Sequence, residues 1–435
     1  MRDHLKVVLW GRIIGYLGYP PQQRRYATFE FDRDFMASGI QLSPVHLNYP
    51  PARYTFDQLS FKSFHGLPGF IADSLPDSYG RQLIDIYMAE KGVPASEVTA
   101  LDRLNYVADR GMGALEFLPG ESLPLNRSAL ELSDLAELAE IVIRKKAQLH
   151  RKLSSQTDRA SALTMIRIGS SAGGARSKAI IALSPKGKIL DGTVNHGVNY
   201  SYWLLKFDSS SNKDKDSTDP EGMPVLEYIY SLIAREAGIH IPATRLLTAG
   251  SERHFIIERF DRIPRNGKLD KLHYGSWSGL GHADRDAVNS YEQLVLFVRQ
   301  MGLGRSSEIE IFKRAVFNIL GRNQDDHTKN TGFLMNRSGK WSLAPAFDLT
   351  YSYDPAGRWT RNHQCWLNGK NNDFLLKDLT RFGEYCNLSE KESLCIIRRT
   401  AEAFSKFPGL AGEYDLSAPL KKNVEQNLRL GILNT

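Results

Sequence analysis

One stretch constrains this chain more than any other: an apolar helix that runs directly into a dense polar cluster and then into a hairpin. Ile309, Phe312, Val316, Ile319 and Leu320 recur at helical spacing and end at Gly321. Ser307 and Glu310 have the spacing of a capping box at the start of that helix. Immediately after it comes Asn323-Gln-Asp325-Asp-His327-Thr-Lys329-Asn330. Thr331-Gly-Phe-Leu-Met-Asn and Trp341-Ser-Leu-Ala-Pro-Ala-Phe then flank Arg337-Ser-Gly-Lys340, which reads as a four-residue hairpin loop centred between Ser338 and Gly339. Asn330 precedes that centre by nearly the distance at which Asp348 follows it, so an antiparallel hairpin brings both to its open end. An amide oxygen and a carboxylate there, beside Asp325, form a hard-oxygen site suited to magnesium and phosphate. Phosphotransferases of the protein-kinase type place an Asp at the incoming hydroxyl and an Asn five residues later at the metal, and Asp325 and Asn330 are five apart. A polar surface turn, with Asp348 capping the turn after it, gives the same composition.

Composition narrows the setting. The chain has 435 residues, 42% hydrophobic and 24% charged, which excludes a largely disordered chain and allows two or three domains. No apolar run reaches the ~18–20 residues of a membrane span. The first residues, MRDHLKVVLWGRIIGYLG, do not read as a secretory signal. Cys365, Cys386 and Cys395 are an odd number without metal-ligand spacing, which points away from a disulfide framework and a zinc site. The expectation is a soluble, cytoplasmic protein with no membrane partner. A net charge of 56 − 49 = +7 permits contact with nucleic acid without requiring it. The run Arg144-Lys145-Lys146 with Arg151-Lys152 reads first as a solvated helix face.

No internal repeat is present. The first ~120 residues carry short strand-like runs such as KVVLW and ATFEF among Gly, Pro and aromatics. ESLPLNRS reads as a linker, followed by a helix on Leu132, Leu135, Leu138, Ile141 and Ile143 with Ser133 as its cap. The main boundary falls between 120 and 160, and 209–222 reads as a polar loop. Three further stretches carry candidate chemistry. The run from Gly169 to Lys178, Gly-Ser-Ser-Ala-Gly-Gly-Ala-Arg-Ser-Lys, can bring backbone N–H groups close to phosphate, although it matches neither a Walker loop nor a dinucleotide fingerprint. Lys206 lies in the apolar strand SYWLLKF, where it either snorkels outward or pairs with an anion. Glu227 lies on a helix marked by Val225, Leu226, Ile229, Leu232 and Ile233, with Gly238 past its end, and is either exposed or the partner of Lys206. The strand His254-Phe-Ile-Ile-Glu258-Arg-Phe260-Asp261-Arg262 can offer backbone groups to a base.

Taken in order, SSAGGARSK, LLKFD, IERFDR, NQDDHTKN and LAPAFDL resemble the HipA family of bacterial serine/threonine kinases, toxins of type II toxin–antitoxin modules. LSPVHL, LPGFIADSLPDSYGR and DRGMGALEF resemble that family's amino-terminal domain, and the likeness runs from about 10 to 400. The resemblance implies an α+β fold, a two-lobed protein-kinase-like (HipA-like) core with a mixed α/β N-terminal domain packed on it. The division it suggests is 1–120 for that domain, 121–160 for a helical linker, 161–262 for the N-lobe and 263–435 for a largely helical C-lobe. It implies transfer of the ATP γ-phosphate to serine or threonine with Mg2+, an aminoacyl-tRNA synthetase as target (glutamyl-tRNA synthetase foremost), and a HipB-like antitoxin that links the chain indirectly to DNA. Carried over by motif, Asp325 is the catalytic Asp and Asn330 with Asp348 hold the metal. Lys206, His327 and Lys329 bind phosphates, Glu258 and Phe260 form the adenine hinge, and Ala172, Gly173, Gly174, Ala175, Arg176, Ser177 and Lys178 cover the nucleotide. Ser171, with Ser170 as its neighbour, matches the autophosphorylated serine of that loop. Arg176-Ser177 stands where some members carry Gln-Glu, and the segment 273–284 lacks a Glu-Asp pair that some have, which bears on the protein target. A small-molecule phosphotransferase and a non-catalytic co-repressor acting with the antitoxin are the competing readings.

Overall fold

The structure is a computed structural model describing residues 2–47, 52–123, 127–144, 159–170, 176–208 and 220–435. The loop positions Ser171 to Ala175, most of the polar stretch 209–222 and the basic residues Lys145, Lys146, Arg151 and Lys152 lie outside the described residues.

The N-terminal sheet has five antiparallel strands in the order Arg53–Thr55, Thr28–Phe31, Arg12–Gly18, His4–Leu9 and Leu115–Leu118. The runs KVVLW and ATFEF supply two of these strands, and Leu5, Val7, Phe29 and Phe31 alternate inward with period two. A second five-stranded antiparallel sheet runs Ile189–Asp191, Lys178–Leu183, Ser201–Lys206, Glu252–Glu258, Thr244–Ala249. Beyond it lies a mainly helical lobe containing a three-stranded sheet of His273–Ser276, Gly332–Met335 and Trp341–Leu343.

The hydrophobic cores do not follow the order of the chain. One core joins Leu17, Phe29 and Phe70 of the N-terminal region to Leu280, Phe297, Phe317 and Phe333 of the helical lobe. The other packs Tyr79, Leu83 and Ile84 of helix Ser78–Glu90 against Met165, Ile166, Ile181, Trp203, Leu205 and Ile256. The N-terminal region is therefore buried against both lobes, and the seam passes close to the polar cluster. Helix Leu132–Arg144 forms where its periodicity places it, yet Ser133 falls inside its first turn rather than at its cap. Leu135, Ala139 and Ile141 are buried in the second core.

Local signals explain the elements that matter for the site. Helix Met223–Glu236 starts after Gly222, carries Pro224 in its first turn and ends with Ala237 as cap and Gly238 at φ +79°. Gly238 N–H donates to Arg235 O (3.0 Å) and Ile239 N–H to Ala234 O (2.9 Å), the paired closure that satisfies the last carbonyls. Helix Arg305–Leu320 stops before Gly321 as its pattern predicts, but it begins earlier than the capping-box reading places it. Gly304 is its N-cap, Ser307 lies within the first turn, and Glu310 instead accepts from His240 N–H (3.1 Å) and pairs with Arg314 (3.0 Å). The hairpin loop is Asn336–Lys340, one residue longer than its composition indicates. Asn336 N–H donates to Lys340 O (3.1 Å), the Asn336 side chain caps Ser338 N–H (3.0 Å), and the pairing of Phe333 with Leu343 centres the turn on Ser338.

Candidate active site

The two strands Lys178–Leu183 and Ser201–Lys206 pair so that Lys178 lies opposite Lys206, which in turn lies opposite Phe255. Ala179, Leu205 and Ile256, one residue over, face the second core; by the period of two, the lysines face the other way, toward helix Met223–Glu236. Lys206 does not snorkel. Its Nζ reaches Glu227 Oε1 at 2.5 Å and also bonds Asp348 Oδ1, forming a buried cation held between two carboxylates. Burial alone lowers the Lys206 pKa, but the Asp348 and Glu227 charges outweigh it and hold it at about 12. Burial raises Asp348, and the Lys206 and Lys178 charges overcome it, leaving that carboxyl at about 2. Burial brings Lys178 down to about 8, with the Lys206 charge adding to the effect against the pull of Asp348. Burial is also the main reason that the Glu227 carboxyl lies above its ordinary value.

Across this cluster stands the loop after Gly321. Asp325 has a side chain 42% exposed, whereas that of the next residue, Asp326, is 2% exposed. Asn330 folds back in a 3-10 turn and donates from Nδ2 to Asp325 O (2.7 Å), so the amide oxygen is its remaining polar atom. His327 Nε2 is 3.8 Å from Asp325 Oδ1, and its buried Nδ1 has no partner among the described residues. Burial lowers the His327 pKa despite the neighbouring Asp325 charge. Asn323 ties the loop to helix Arg305–Leu320 and to the segment carrying Asp348, donating to Asn318 Oδ1 (2.9 Å) and Asp348 O (3.4 Å). His327, Asn330 and Asp348 line one small cavity, with Asp348 held at a left-handed φ of +53°. The hairpin thus brings together Asn330 and Asp348, as the symmetry of the sequence about its turn anticipates.

The remaining candidate residues fall around this centre. Glu258 N–H and Arg259 N–H are used by Ala243 O (2.9 Å) and Tyr202 O (2.8 Å), while Phe260 packs near Tyr274 and Phe347 at 6.1 and 5.8 Å between ring centres. Next to this strand end, buried Asp261 receives Arg259, Arg262 and Gly113 N–H (2.7 Å), which secures the edge of the cleft to the N-terminal domain. Lys329 faces Asp77 of that domain at 3.7 Å. Ser177 accepts from Phe207 N–H (3.2 Å) and leads into Lys178, and Arg176 precedes it at half-buried depth. Ser170 ends helix Arg159–Ser170, 1% exposed, with its hydroxyl donating to Arg167 O (3.3 Å); in this conformation it is closed to a phosphate donor. The expectations for Ser171, Ala172, Gly173, Gly174 and Ala175 fall outside the described residues.

Sequence reasoning missed the support beneath the loop. Asp326 accepts from Tyr291 Oη, from His363 Nδ1 and from Gln364 N–H, each at 2.8 Å, and from Cys365 N–H at 3.2 Å. Burial raises the Asp326 carboxyl, and His363 more than reverses this, holding it below its ordinary range. The only signal was the Asp325-Asp326 doublet, which does not reveal which carboxylate is outside. Asp77 was also missed as a neighbour of the loop, because it comes from the N-terminal domain.

A strand-borne lysine, a helix-borne glutamate and a loop-borne Asp/Asn/Asp set facing one another across two lobes define a two-lobed α+β protein with its polar site in the cleft. Family models agree along most of the chain: HipA N-terminal domain over residues 5–118 and HipA-like C-terminal domain over 170–407. The chain belongs to the HipA family. Over its whole length it resembles a solved structure of the Shewanella oneidensis MR-1 toxin–antitoxin system HipA, HipB and its operator DNA. That likeness has a TM-score of 0.67 at 16% identity, covering 98% of this chain and 96% of that one, and at such identity it shows the fold. A Haemophilus influenzae (strain Rd) protein described as "Putative kinase" is 29% identical over 145 residues, a match spanning 30% of this chain and 42% of that relative's length.

Proposed function

We propose that the chain is an ATP- and Mg2+-dependent serine/threonine protein kinase that acts in the cytoplasm as the toxin of a type II toxin–antitoxin module. The observation that carries this reading is the Lys206–Glu227–Asp348 cluster, whose Asp348 shares a cavity with Asn330, the residue bonded to the Asp325 carbonyl. The side chains present suit the groups the reaction needs. Asn330 and Asp348 offer hard oxygens for one magnesium ion completed by phosphate, and Lys206 and Lys178 offer positive charge to the phosphate tail. Magnesium, when bound, supplies charge neutralisation between the phosphates.

The rest is positioning. Asp325 accepts the proton of the incoming hydroxyl as its oxygen bonds the γ-phosphorus and the bond to the bridging oxygen breaks, releasing ADP. Lys206 restrains the departing phosphates, Glu227 keeps Lys206 aimed, and Phe260 lies at the adenine edge of the cleft. An aminoacyl-tRNA synthetase, glutamyl-tRNA synthetase first, is the proposed target, and a HipB-like antitoxin the proposed neutralising partner, connecting the chain to operator DNA. Autophosphorylation is proposed at Ser171, with Ser170 reachable only after its helix end opens.

Incubation of verified unphosphorylated protein with Mg-ATP, followed by phosphosite mapping, tests the reading. Phosphate on Ser170 or Ser171 in wild type and none with Asp325→Ala supports it. Absence of phosphate from both proteins, on themselves and on purified glutamyl-tRNA synthetase, moves weight to a small-molecule phosphotransferase or a co-repressor.

A further inference from the structure

Two adjacent carboxylates in the loop behave as opposites. Asp325 faces the cleft, and Asp326 turns inward and is fully bonded. Three of its bonds come from a remote segment, from the N–H groups of Gln364 and Cys365 and the ring of His363, and that segment leads into the strand Cys365–Trp366, which pairs in parallel with Asn289–Ser290. That segment returns a side chain to the surface of the site. Gln364 Nε2 donates to Asp325 Oδ1 at 2.6 Å, the only side-chain hydrogen bond to that carboxylate among the described residues.

We propose that Gln364 is a positioning residue for the phosphotransfer described above: its amide holds one oxygen of Asp325 so that the other is presented to the acceptor hydroxyl. This rests on the kinase reading, with Asp325 as the group that takes the hydroxyl proton. A carboxylate on a loop and nearly half exposed has several staggered orientations, and a general base works only within hydrogen-bond reach of its proton. Asn330 fixes the backbone of Asp325, donating to its carbonyl at 2.7 Å, but does not fix the carboxylate. Gln364 does so through a single bond, and its own position is set by Asp326, whose three bonds to His363, Gln364 and Cys365 hold the segment it sits on. The neighbouring residue of the doublet thus aims the reactive one by way of a strand 38 residues away in sequence. Misplacing a reacting group by an ångström costs on the order of a hundredfold in rate, so the effect belongs in turnover rather than in nucleotide affinity.

The experiment compares full-length wild type with Gln364→Met, which keeps the shape and loses the donor, Gln364→Ala, which loses both, and Gln364→Glu, which sets a carboxylate against Asp325. Each is assayed for phosphate transfer from Mg-ATP to the chain itself and to dephosphorylated casein, and for affinity toward a fluorescent methylanthraniloyl-ATP with Mg2+. The expected result is a turnover lower by at least tenfold for Met and Ala alike, lower still for Glu, with nucleotide affinity within twofold of wild type. Crystals of Gln364→Met are expected to show Asp325 in more than one orientation. Wild-type turnover in Gln364→Met or Gln364→Ala overturns the proposal while leaving the kinase reading intact. If wild type transfers no phosphate at all, the kinase reading falls, and a single unchanged Asp325 orientation in Gln364→Met then overturns the positioning role as well.

Discussion

Lys206 and Asp348, 142 positions apart, form an ion pair at the centre of the cleft, and the same ammonium holds Glu227 at 2.5 Å. One strand, one helix and one post-hairpin turn meet there, each from a different part of the chain. Burial disfavours both charges, and each of the two favours the ionised form of the other, with Glu227 adding to the effect on Lys206 and Lys178 to that on Asp348. The consequences separate the roles of the site residues.

Replacing Lys206 by Met leaves Glu227 buried without its cation. The expected loss is about 3–5 kcal/mol of stability, measured as a shift in urea midpoint, together with loss of fluorescent-ATP binding. Adding Glu227→Leu removes the stranded carboxylate, so the double variant recovers most of the stability and none of the nucleotide binding. Recovery of both would mean that the cluster is structural only.

Asp325→Asn is expected to lower phosphate transfer by at least a hundredfold and to move the melting temperature by no more than about 2 °C. The carboxylate is 42% exposed and has little packing to lose. Asp326→Asn is the contrast. It disturbs four bonds to a buried charge and is expected to destabilise by several kcal/mol, read by the same two assays.

Gly279 lies where the N-terminal domain meets the helical lobe. A Cβ there would overlap the Asp73 carboxylate and stand 2.8 Å from Gly69 O. Asp73 is held by Ser276 N–H (2.6 Å) and Ser276 Oγ (2.7 Å), so it has no room to move aside. Gly279→Ala is therefore expected to cost about 1–3 kcal/mol and to increase amide exchange in Gly69–Ala72, the facing helix. Unchanged exchange there would place the domain contact elsewhere.

Stability is expected to fall on acidification through the buried histidines. Burial lowers His254 to about 4 and His273 to about 3, from an ordinary 6.5 that they regain on unfolding. Because the folded values are depressed, the contribution is complete above pH 6.5 and is lost progressively as pH falls toward 4, where the unfolded chain binds the extra protons. The limiting slope is about 1.4 kcal/mol per pH unit for each histidine. His254 Nδ1 accepts from Asp208 N–H (3.0 Å) with Glu252 at 3.6 Å, whereas both His273 nitrogens lack partners among the described residues. His273→Phe, beside Trp341, is thus expected to remove about one proton from the slope between pH 6 and 4, measured by urea unfolding across that range.

Much of this was legible in the residues themselves, because it depends on bonds made within a few positions. The periodic apolar residues of 223–236 followed by Gly238 specify a helix and its closure, since both the buried stripe and the terminal hydrogen bonds are local. The symmetry of Asn330 and Asp348 about the hairpin survived a loop one residue longer than its composition suggested, because a half-residue shift of the centre leaves both at the open end. Ser307 and Glu310 misled for the complementary reason: the capping spacing was present, but Arg314 and His240 offered Glu310 better partners. What only the tertiary structure decided is what each charged side chain faces. Whether Lys206 snorkels or pairs, which carboxylate of Asp325-Asp326 is outside, and that Gln364 and Asp77 stand beside the loop all depend on chain segments tens to hundreds of residues apart. Their cost or gain is set by the burial and the opposite charge that those segments supply, and neither exists until the cores have closed.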